Sequence, residues 1–178
     1  LYAADSCHVT DTLMHIDTLY DKSGNNRHLS QLTIAKRPVL ISIDSSINNS
    51  PSIYFDGQDD ELRMNSTIRF SQPNTYCFLW KLTSLANANT RVAFSGEDVS
   101  YRNQFGYSST LQTIEILASR NVVYGNAFSS INFDYTKFVA YFNKANSKVT
   151  KNDTNIFIGN VGTYDMQGLI LGNLFLSG

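Results

Sequence analysis

The sequence predicts an all-β fold, namely a two-sheet antiparallel β-sandwich. Turn signals built from Gly, Asn, Asp and Pro recur about every 8 to 12 residues, a spacing typical of sandwiches and barrels. The segments between them are rich in Phe, Tyr, Ile, Val and Thr, the residues that favour pleated packing. No internal repeat of fixed period is present, which argues against a propeller or a solenoid. We therefore expect about ten to twelve short strands.

The N-terminal part has the least regular pattern. Residues 11–19 are compatible with a short helix or with an extended arm, and the Thr and Ile residues weaken the helical alternative. Residues 20–28 form a turn-rich loop with Ser-Gly-Asn-Asn at its tip. Arg37-Pro38 breaks any helix, and residues 39–43 then predict a short strand.

The stretch around residue 56 predicts a strand, a tight acidic turn and a second strand. Ile53 and Phe55 alternate with their neighbours at strand periodicity. Asp56-Gly57 is a strong turn signal, because glycine reaches positive φ at no steric cost and aspartate can bond its own backbone. Apolar residues return to one face within residues 62–64. We expect this corner to turn the chain between the two sheets.

Residues 74–82 form the most apolar strand and contain Trp80, the only tryptophan. The segment is apolar on both faces, which predicts a central strand in a sheet covered on both sides. In this context core packing is favoured for Trp80 over stacking against a ligand.

The C-terminal half continues the pattern of short strands. A hairpin is predicted from residues 137–143 and 148–151, around a turn at 146–148. Other strands are predicted at 91–95, around 105–107, and at 111–117, 122–124, 155–159 and 169–176.

Composition limits the classes of partner. The 178 residues suit one domain, residues 1–178, and the first is Leu1 rather than Met, so we expect a processed product or part of a longer chain. A net charge of −1 and the lack of a basic block argue against nucleic acid. No apolar run reaches the roughly 18 residues that a membrane span needs, so no membrane insertion is expected. Only 16% of residues are charged, which favours an extracellular or virion-surface location.

Cys7 and Cys77 are the only cysteines, and the sequence leaves open whether they pair. Two separate buried thiols are the favoured interpretation. Zinc is not expected, because no second Cys or His stands at ligand spacing.

The acids of the corner admit two interpretations. Asp56, Asp59 and Asp60 could ligate Ca²⁺, which takes six to eight oxygen ligands. Alternatively Asp56 caps the turn through backbone N–H groups, and Asp59 and Asp60 do the same for the next loop. The capping interpretation is favoured, and no other cofactor is expected.

A segment that mixes aromatic rings with amide side chains is the candidate ligand site. Rings and hydrogen-bonding side chains together suit a sugar, although the same residues could simply cover the edge of the sandwich. The candidate ligand-binding residues are Tyr101, Asn103, Gln104, Phe105 and Tyr107, with Arg102 among them.

Several motifs, in order, resemble those of concanavalin A-like, laminin G-like jelly-roll domains. Residues 19–25 are similar to that family's Trp-x-Asp-x-Ser-Gly-Asn loop, and residues 53–62 to its Phe-Asp-Gly-x-Asp-Asp-x-Leu corner. Residues 75–81, 138–149 and the Gly-Asn and Gly-x-Ile segments near residues 159 and 168 resemble its later strands. Tyr20 stands where the family usually has Trp, and the last strand lacks the usual acidic residue.

The resemblance implies two antiparallel sheets packed face to face and a non-catalytic module that binds glycans or a surface receptor, displayed on a phage or virus particle or secreted. The alternative is a structural or decoration protein of a virion, bound to other virion subunits. A glycoside hydrolase is disfavoured, because Glu61, Glu97 and Glu115 lack the second carboxylate on a strand that such enzymes need. We therefore expect no enzymatic activity and no catalytic residues.

Overall fold

The computed structural model describes residues 6–83, 91–97, 101–108, 113–118, 123–124 and 134–172. Its regular structure consists of β-strands and short 3₁₀ turns, with no α-helix in these ranges. The strands are Cys7–Val9 (β1), Ile16–Leu19 (β2), Leu29–Ser30 (β3), Val39–Asp44 (β4), Ser50–Tyr54 (β5), Leu62–Phe70 (β6), Asn74–Trp80 (β7), Arg91–Ser95 (β8), Gln104–Ser108 (β9), Thr113–Leu117 (β10), Val123–Tyr124 (β11), Thr136–Phe142 (β12), Ser147–Lys151 (β13), Thr154–Gly159 (β14) and Met166–Leu171 (β15).

These strands form three sheets in which the neighbouring strands are antiparallel. The largest has nine strands in the order β1-β2-β3-β6-β15-β8-β9-β10-β11. A second has four in the order β14-β13-β12-β7, and β4 and β5 form a hairpin of their own. The predicted all-β antiparallel class is confirmed, with more strands than expected, because several pairings involve segments of only two or three residues.

The four-stranded sheet packs on one half of the nine-stranded sheet through an aromatic core. Phe78 on β7 lies 5.0 Å from Phe105 on β9 and 5.5 Å from Phe94 on β8, measured between ring centroids. Phe138 on β12 lies 5.0 Å from Phe105 as well. These distances are typical of favourable aromatic pairs, and they make this half a face-to-face sandwich. Trp80 contacts Phe105 and Phe138, as predicted for a core residue.

The β4–β5 hairpin covers the other half of the nine-stranded sheet. Leu40 of the hairpin is buried in a second cluster with Ile16 and Leu62 of the large sheet. Leu169 and Leu171 on β15 pack against both clusters and thus connect them. We call the side of the nine-stranded sheet that carries these cores its inner face, and the opposite side its outer face.

The acidic corner has the predicted form. It follows β5 in the hairpin and leads into β6 in the nine-stranded sheet, so it joins two sheets. Gly57 has a φ of +73°, the conformation that the Asp-Gly signal anticipates.

The prediction for residues 74–82 is wrong in one respect. Strand β7 lies at an edge of the four-stranded sheet, and its residues alternate between partly buried and exposed. Leu79 is 60% exposed, and Cys77 is exposed on the same side. Cys7 is buried, Cys77 is exposed and no disulfide joins them, so the cysteines are separate as expected, but only one of them is buried.

The N-terminal segment takes the extended alternative. Residues 11–14 form a turn, and β2 follows within the nine-stranded sheet. Within the described ranges, no helix has the length and apolarity that crossing a membrane requires.

Candidate functional site

The predicted site divides between the two faces of the sheet. Phe105 is fully buried and Tyr107 is 2% exposed, and both belong to the aromatic core on the inner face. Their assignment as ligand-contacting residues is therefore corrected to core packing. Strand periodicity is the cause, because alternate residues of β9 point to opposite faces.

Asn103 also turns inward. Its side chain is fully buried and its Nδ2 donates to Oδ1 of Asn74 over 3.1 Å. This bond ties the segment before β9 to the start of β7. Asn103 therefore positions the segment, and its Oδ1 has no hydrogen-bond partner in the part of the chain that the structure describes.

Two polar side chains lie on the outer face where β9 and β10 pair, beside the fully buried Leu117. Gln104 precedes Phe105 and so points outward, and Glu115 alternates with the inward-facing Ile114 and Ile116. Both side chains are buried, and Nε2 of Gln104 lies 3.5 Å from Oε2 of Glu115. Ser108 also hydrogen-bonds the Glu115 carboxyl.

The segment before β9 passes closely over the end of β8. A Cβ atom on Gly96 would lie 2.7 Å from the Tyr101 carbonyl oxygen and 2.9 Å from Cα of Arg102. Only glycine permits this approach of two backbones. The Tyr101 carbonyl also accepts from the Gln167 N–H of β15 over 2.9 Å. These contacts hold Tyr101 and Arg102 against the sheet.

Tyr101 carries a cation on its ring. The guanidinium carbon of Arg69, on β6, lies 3.9 Å from the centroid of the Tyr101 ring. Arg69 is exposed and Tyr101 is partly exposed, so this pair is open to solvent. Arg69 pairs in register with Gln167, the residue whose N–H binds Tyr101.

Together these residues form a polar band on the outer face, defined here as Arg69, Tyr101, Arg102, Gln104 and Glu115. It begins at an exposed end formed by Arg69 and Tyr101 and ends at the buried Gln104 and Glu115. Among the described residues, two buried atoms in the band have no hydrogen-bond partner: Nε of Arg102, a donor, and Oε1 of Gln104, an acceptor. Leaving such atoms unpaired costs about 1 to 3 kcal/mol each, so each needs an explanation.

Burial dominates the electrostatics of the band. It raises the pKa of the Glu115 carboxyl, and the Ser108 hydrogen bond and the Arg102 charge oppose this effect. Burial also lowers the pKa of the Arg102 guanidinium, which the Glu115 charge opposes. Each charge thus stabilises the other in a poorly solvated place.

Sequence reasoning missed two members of the band as site residues. Arg69 lies far from Tyr101 along the chain and meets it only because β6 pairs with β15. Glu115 was weighed only as a catalytic acid, although the alternation Thr-Ile-Glu-Ile-Leu in β10 places it on the face opposite the core. That alternation was the available signal.

Of the other two glutamates, Glu97 adjoins the band, because its N–H donates to the Gln167 carbonyl over 2.8 Å, whereas Glu61 lies directly before β6. Glu61 binds Arg63 through two hydrogen bonds of 2.7 and 2.9 Å. Glu97 lies against Gly168, whose hypothetical Cβ would touch its side chain.

The corner acids chiefly cap backbone. Asp56 accepts from the Gln58 N–H over 2.8 Å, and Asp60 accepts from the Asp56 N–H over 2.9 Å. One carboxylate oxygen from each of Asp56, Asp59 and Asp60 lies within 4.8 Å of the others. The favoured capping interpretation therefore fits Asp56 and Asp60, with Asp60 bonding the corner itself rather than the next loop.

Comparison with known proteins supports the fold class. Neither a protein-family model nor a curated protein matches this sequence. Domain 4 of AbnA, a GH43 extracellular arabinanase from Geobacillus stearothermophilus solved with arabinotriose, is similar over 72% of this chain, with a TM-score of 0.53 and 16% identity. The chain spans 64% of that domain's length. CG-16, a homodimeric agglutinin from chicken liver, is similar over 67% of this chain and 97% of its own, with 16% identity and a TM-score of 0.42. The arabinanase likeness supports the all-β sandwich fold and nothing finer.

Proposed function

We propose that this chain is a non-catalytic glycan-binding module and that the polar band is its binding site. The observation that carries the proposal is the pair of unpartnered buried atoms, Nε of Arg102 and Oε1 of Gln104. One is a donor and the other an acceptor, and both lie near the Glu115 carboxyl.

Sugar hydroxyls suit such a site, because each hydroxyl donates one hydrogen bond and accepts others. Tyr101 adds a partly exposed ring at the open end, and sugar rings pack their C–H faces on aromatic side chains. The band therefore offers both kinds of contact that carbohydrate recognition uses.

The fold is compatible with this role. The similar domain of the arabinanase was solved in complex with arabinotriose, so a related sandwich is found with an oligosaccharide. We propose in addition that the sandwich is a jelly roll of the concanavalin A-like, laminin G-like kind, which the ordered motifs around residues 19–25 and 53–62 favour.

A glycan array that includes arabinotriose, followed by calorimetric titration of the best ligand, tests the proposal. We expect Tyr101→Ala to weaken binding about ten-fold or more, equivalent to about 1.4 kcal/mol. Tyr54→Ala is the matched control, because Tyr54 is an exposed tyrosine on the β4–β5 hairpin. Absence of any bound glycan, or equal effects of the two substitutions, would contradict the proposal.

We propose that the module works outside the cell, on a secreted protein or on a virion surface. A low charged fraction of 16% and a polar surface of other residues favour this location. Antibody labelling of intact particles or cells, compared with lysed samples, tests it. Labelling that appears only after lysis would contradict it.

A structural role is the second candidate, as an assembly or decoration element bound to other virion subunits. One observation favours it: the outward side of the four-stranded sheet exposes Leu79 to 60% and Ile158 to 68%, with Cys77 on the same side. Leu79 and Ile158 lie on the opposite edge strands β7 and β14, and an edge strand is where another chain can pair with a sheet. Sedimentation velocity over a concentration series tests this role, which predicts self-association that Leu79→Ser weakens.

A further inference from the structure

We infer that the ligand of the polar band carries an acidic group, a carboxylate or a sulfate, which Arg69 binds beside Tyr101 and which the charge of Arg102 attracts. This inference rests on the proposed glycan-binding function and specifies the class of sugar.

Arg69 is the first reason. Its guanidinium carbon lies 3.9 Å from the centroid of the Tyr101 ring, and the side chain is exposed. It forms no hydrogen bond or ion pair with the part of the chain that the structure describes. Stacking on a ring leaves the N–H edge of a guanidinium free, and that edge matches the two oxygens of a carboxylate or sulfate.

Arg102 is the second reason. Its guanidinium is partly buried, its Nε is fully enclosed, and no described residue accepts a hydrogen bond from it. Glu115 acts on it only through space and is itself engaged by Gln104 and Ser108. Arg102 is therefore a second positive charge beside Tyr101, and it attracts an anionic ligand group toward the band.

Two other arginines show the usual arrangement. Arg63 forms a two-bond ion pair with Glu61. Arg37 donates to the carbonyl oxygens of Gln31 and Leu32 and to the Thr10 hydroxyl. Both have hydrogen-bond acceptors within the protein, whereas no described residue accepts a hydrogen bond from Arg69 or Arg102, and the same holds for Nε of Arg27.

The test uses a glycan array of matched pairs, in which each acidic oligosaccharide is accompanied by its neutral counterpart. Galacturonate trimers with galactose trimers, and sulfated with unsulfated galactose trimers, are two such pairs. We expect the acidic member to bind about ten-fold or more tightly than the neutral one at about 50 mM salt, with the difference shrinking at higher salt. The carboxylated and sulfated arms show which acid the band takes.

Arg69→Gln should abolish the preference for the acidic member, and Arg69→Lys should restore only part of it, since ammonium lacks the planar fork. Arg69 is exposed, so the substitution leaves the core intact. Lys148→Gln is the control, because it removes the same charge from an exposed position on the other sheet. Binding of neutral and acidic members with equal affinity, or an Arg69→Gln variant that keeps the preference, would overturn the inference and leave the proposed function standing. No binding of either member would overturn both.

Discussion

Gly172 follows β15 with a φ of +85°, where a side chain would be strained and would also overlap the ring of Phe55. We expect Gly172→Ala to lower the free energy of unfolding by about 1 to 2 kcal/mol for the left-handed backbone. Overpacking against Phe55 adds about 1 to 3 kcal/mol. Urea denaturation followed by far-UV circular dichroism measures the sum.

Gly24 provides the control for this prediction. It has the same φ of +85°, but a Cβ atom there would meet nothing within 4 Å. Gly24→Ala should therefore show the backbone cost without the steric cost. Equal losses for the two variants would mean that Phe55 relaxes freely and that the approach of Gly172 to its ring is unimportant.

Single residues also explain where sequence reasoning about the site failed. Phe105 and Tyr107 stand near Asn103 and Gln104 in the chain, so a ring-and-amide segment suggested one surface. The segment from Gln104 onward is a strand, and its alternation sends the rings into the core and Gln104 to the outer face. The composition of the segment predicted where along the chain the site lies. The burial of each side chain then determines which residues belong to the site.

At the scale of elements, a hydrogen-bonded lock ties the β4–β5 hairpin to the four-stranded sheet. Asp44, at the end of β4, accepts from the Tyr135 hydroxyl over 2.7 Å and from the Ser52 hydroxyl over 2.9 Å. Lys81, just after β7, lies 5.3 Å above the Tyr135 ring. The β4–β5 hairpin and the four-stranded sheet, which both pack on the nine-stranded sheet, are thus linked to each other.

This lock predicts an acid-sensitive contribution to stability. Hydrogen bonds from Ser46 and Tyr135 hold the pKa of the Asp44 carboxyl well below its ordinary value of about 3.9. A depressed carboxyl pKa stabilises the fold above about pH 4, and the contribution is lost as the pH falls toward the folded-state pKa. We expect Tyr135→Phe to lower the melting temperature at pH 6 and to have a smaller effect near pH 2. Thermal melts across this pH range measure the difference.

Tyr141→Phe is the matched control, since Tyr141 lies on β12 with no hydrogen bond to a carboxylate among the described residues. It should leave both the melting temperature and its pH dependence near those of the unmodified protein. If Tyr135→Phe behaved like this control, the lock would contribute nothing and the low pKa of Asp44 would come from its serine partners alone.

Local signals predicted elements well where turn chemistry decided them. The Asp56-Gly57 corner and the hairpin of β12 and β13 have the expected form, because glycine, aspartate and asparagine limit the backbone within a few residues. Strand β7 was predicted as central and is an edge strand. Its hydrophobicity could not show this, since Leu79 remains exposed and strand order depends on partners distant in sequence. The strand order of the nine-stranded sheet could not be predicted from the sequence for the same reason.

At the scale of the whole molecule, the nine-stranded sheet is covered by two elements, the β4–β5 hairpin and the four-stranded sheet. The hairpin encloses one apolar cluster and the four-stranded sheet encloses the other, so the fold could consist of two independent halves. Leu169 and Leu171 on β15 pack against both clusters, and the Asp44–Tyr135 bond joins the covers. These contacts predict that the two halves unfold in one cooperative transition.

Trp80 and Leu40 make this cooperativity measurable, because Trp80 is the only tryptophan and lies in the aromatic half, while Leu40 lies in the hairpin half. Leu40→Ala should cost about 2 to 5 kcal/mol. If the halves are coupled, the unfolding midpoint measured by Trp80 fluorescence will move to a urea concentration lower by about 1 M or more. The midpoint measured by circular dichroism will move with it. Leu32→Ala, at a side chain 87% exposed, should change stability by less than about 0.5 kcal/mol. The halves unfold separately if the Trp80 transition keeps its midpoint while circular dichroism shows an additional step at lower urea. The contacts of β15 would then be too weak to couple the hairpin half, destabilised by Leu40→Ala, to the aromatic half.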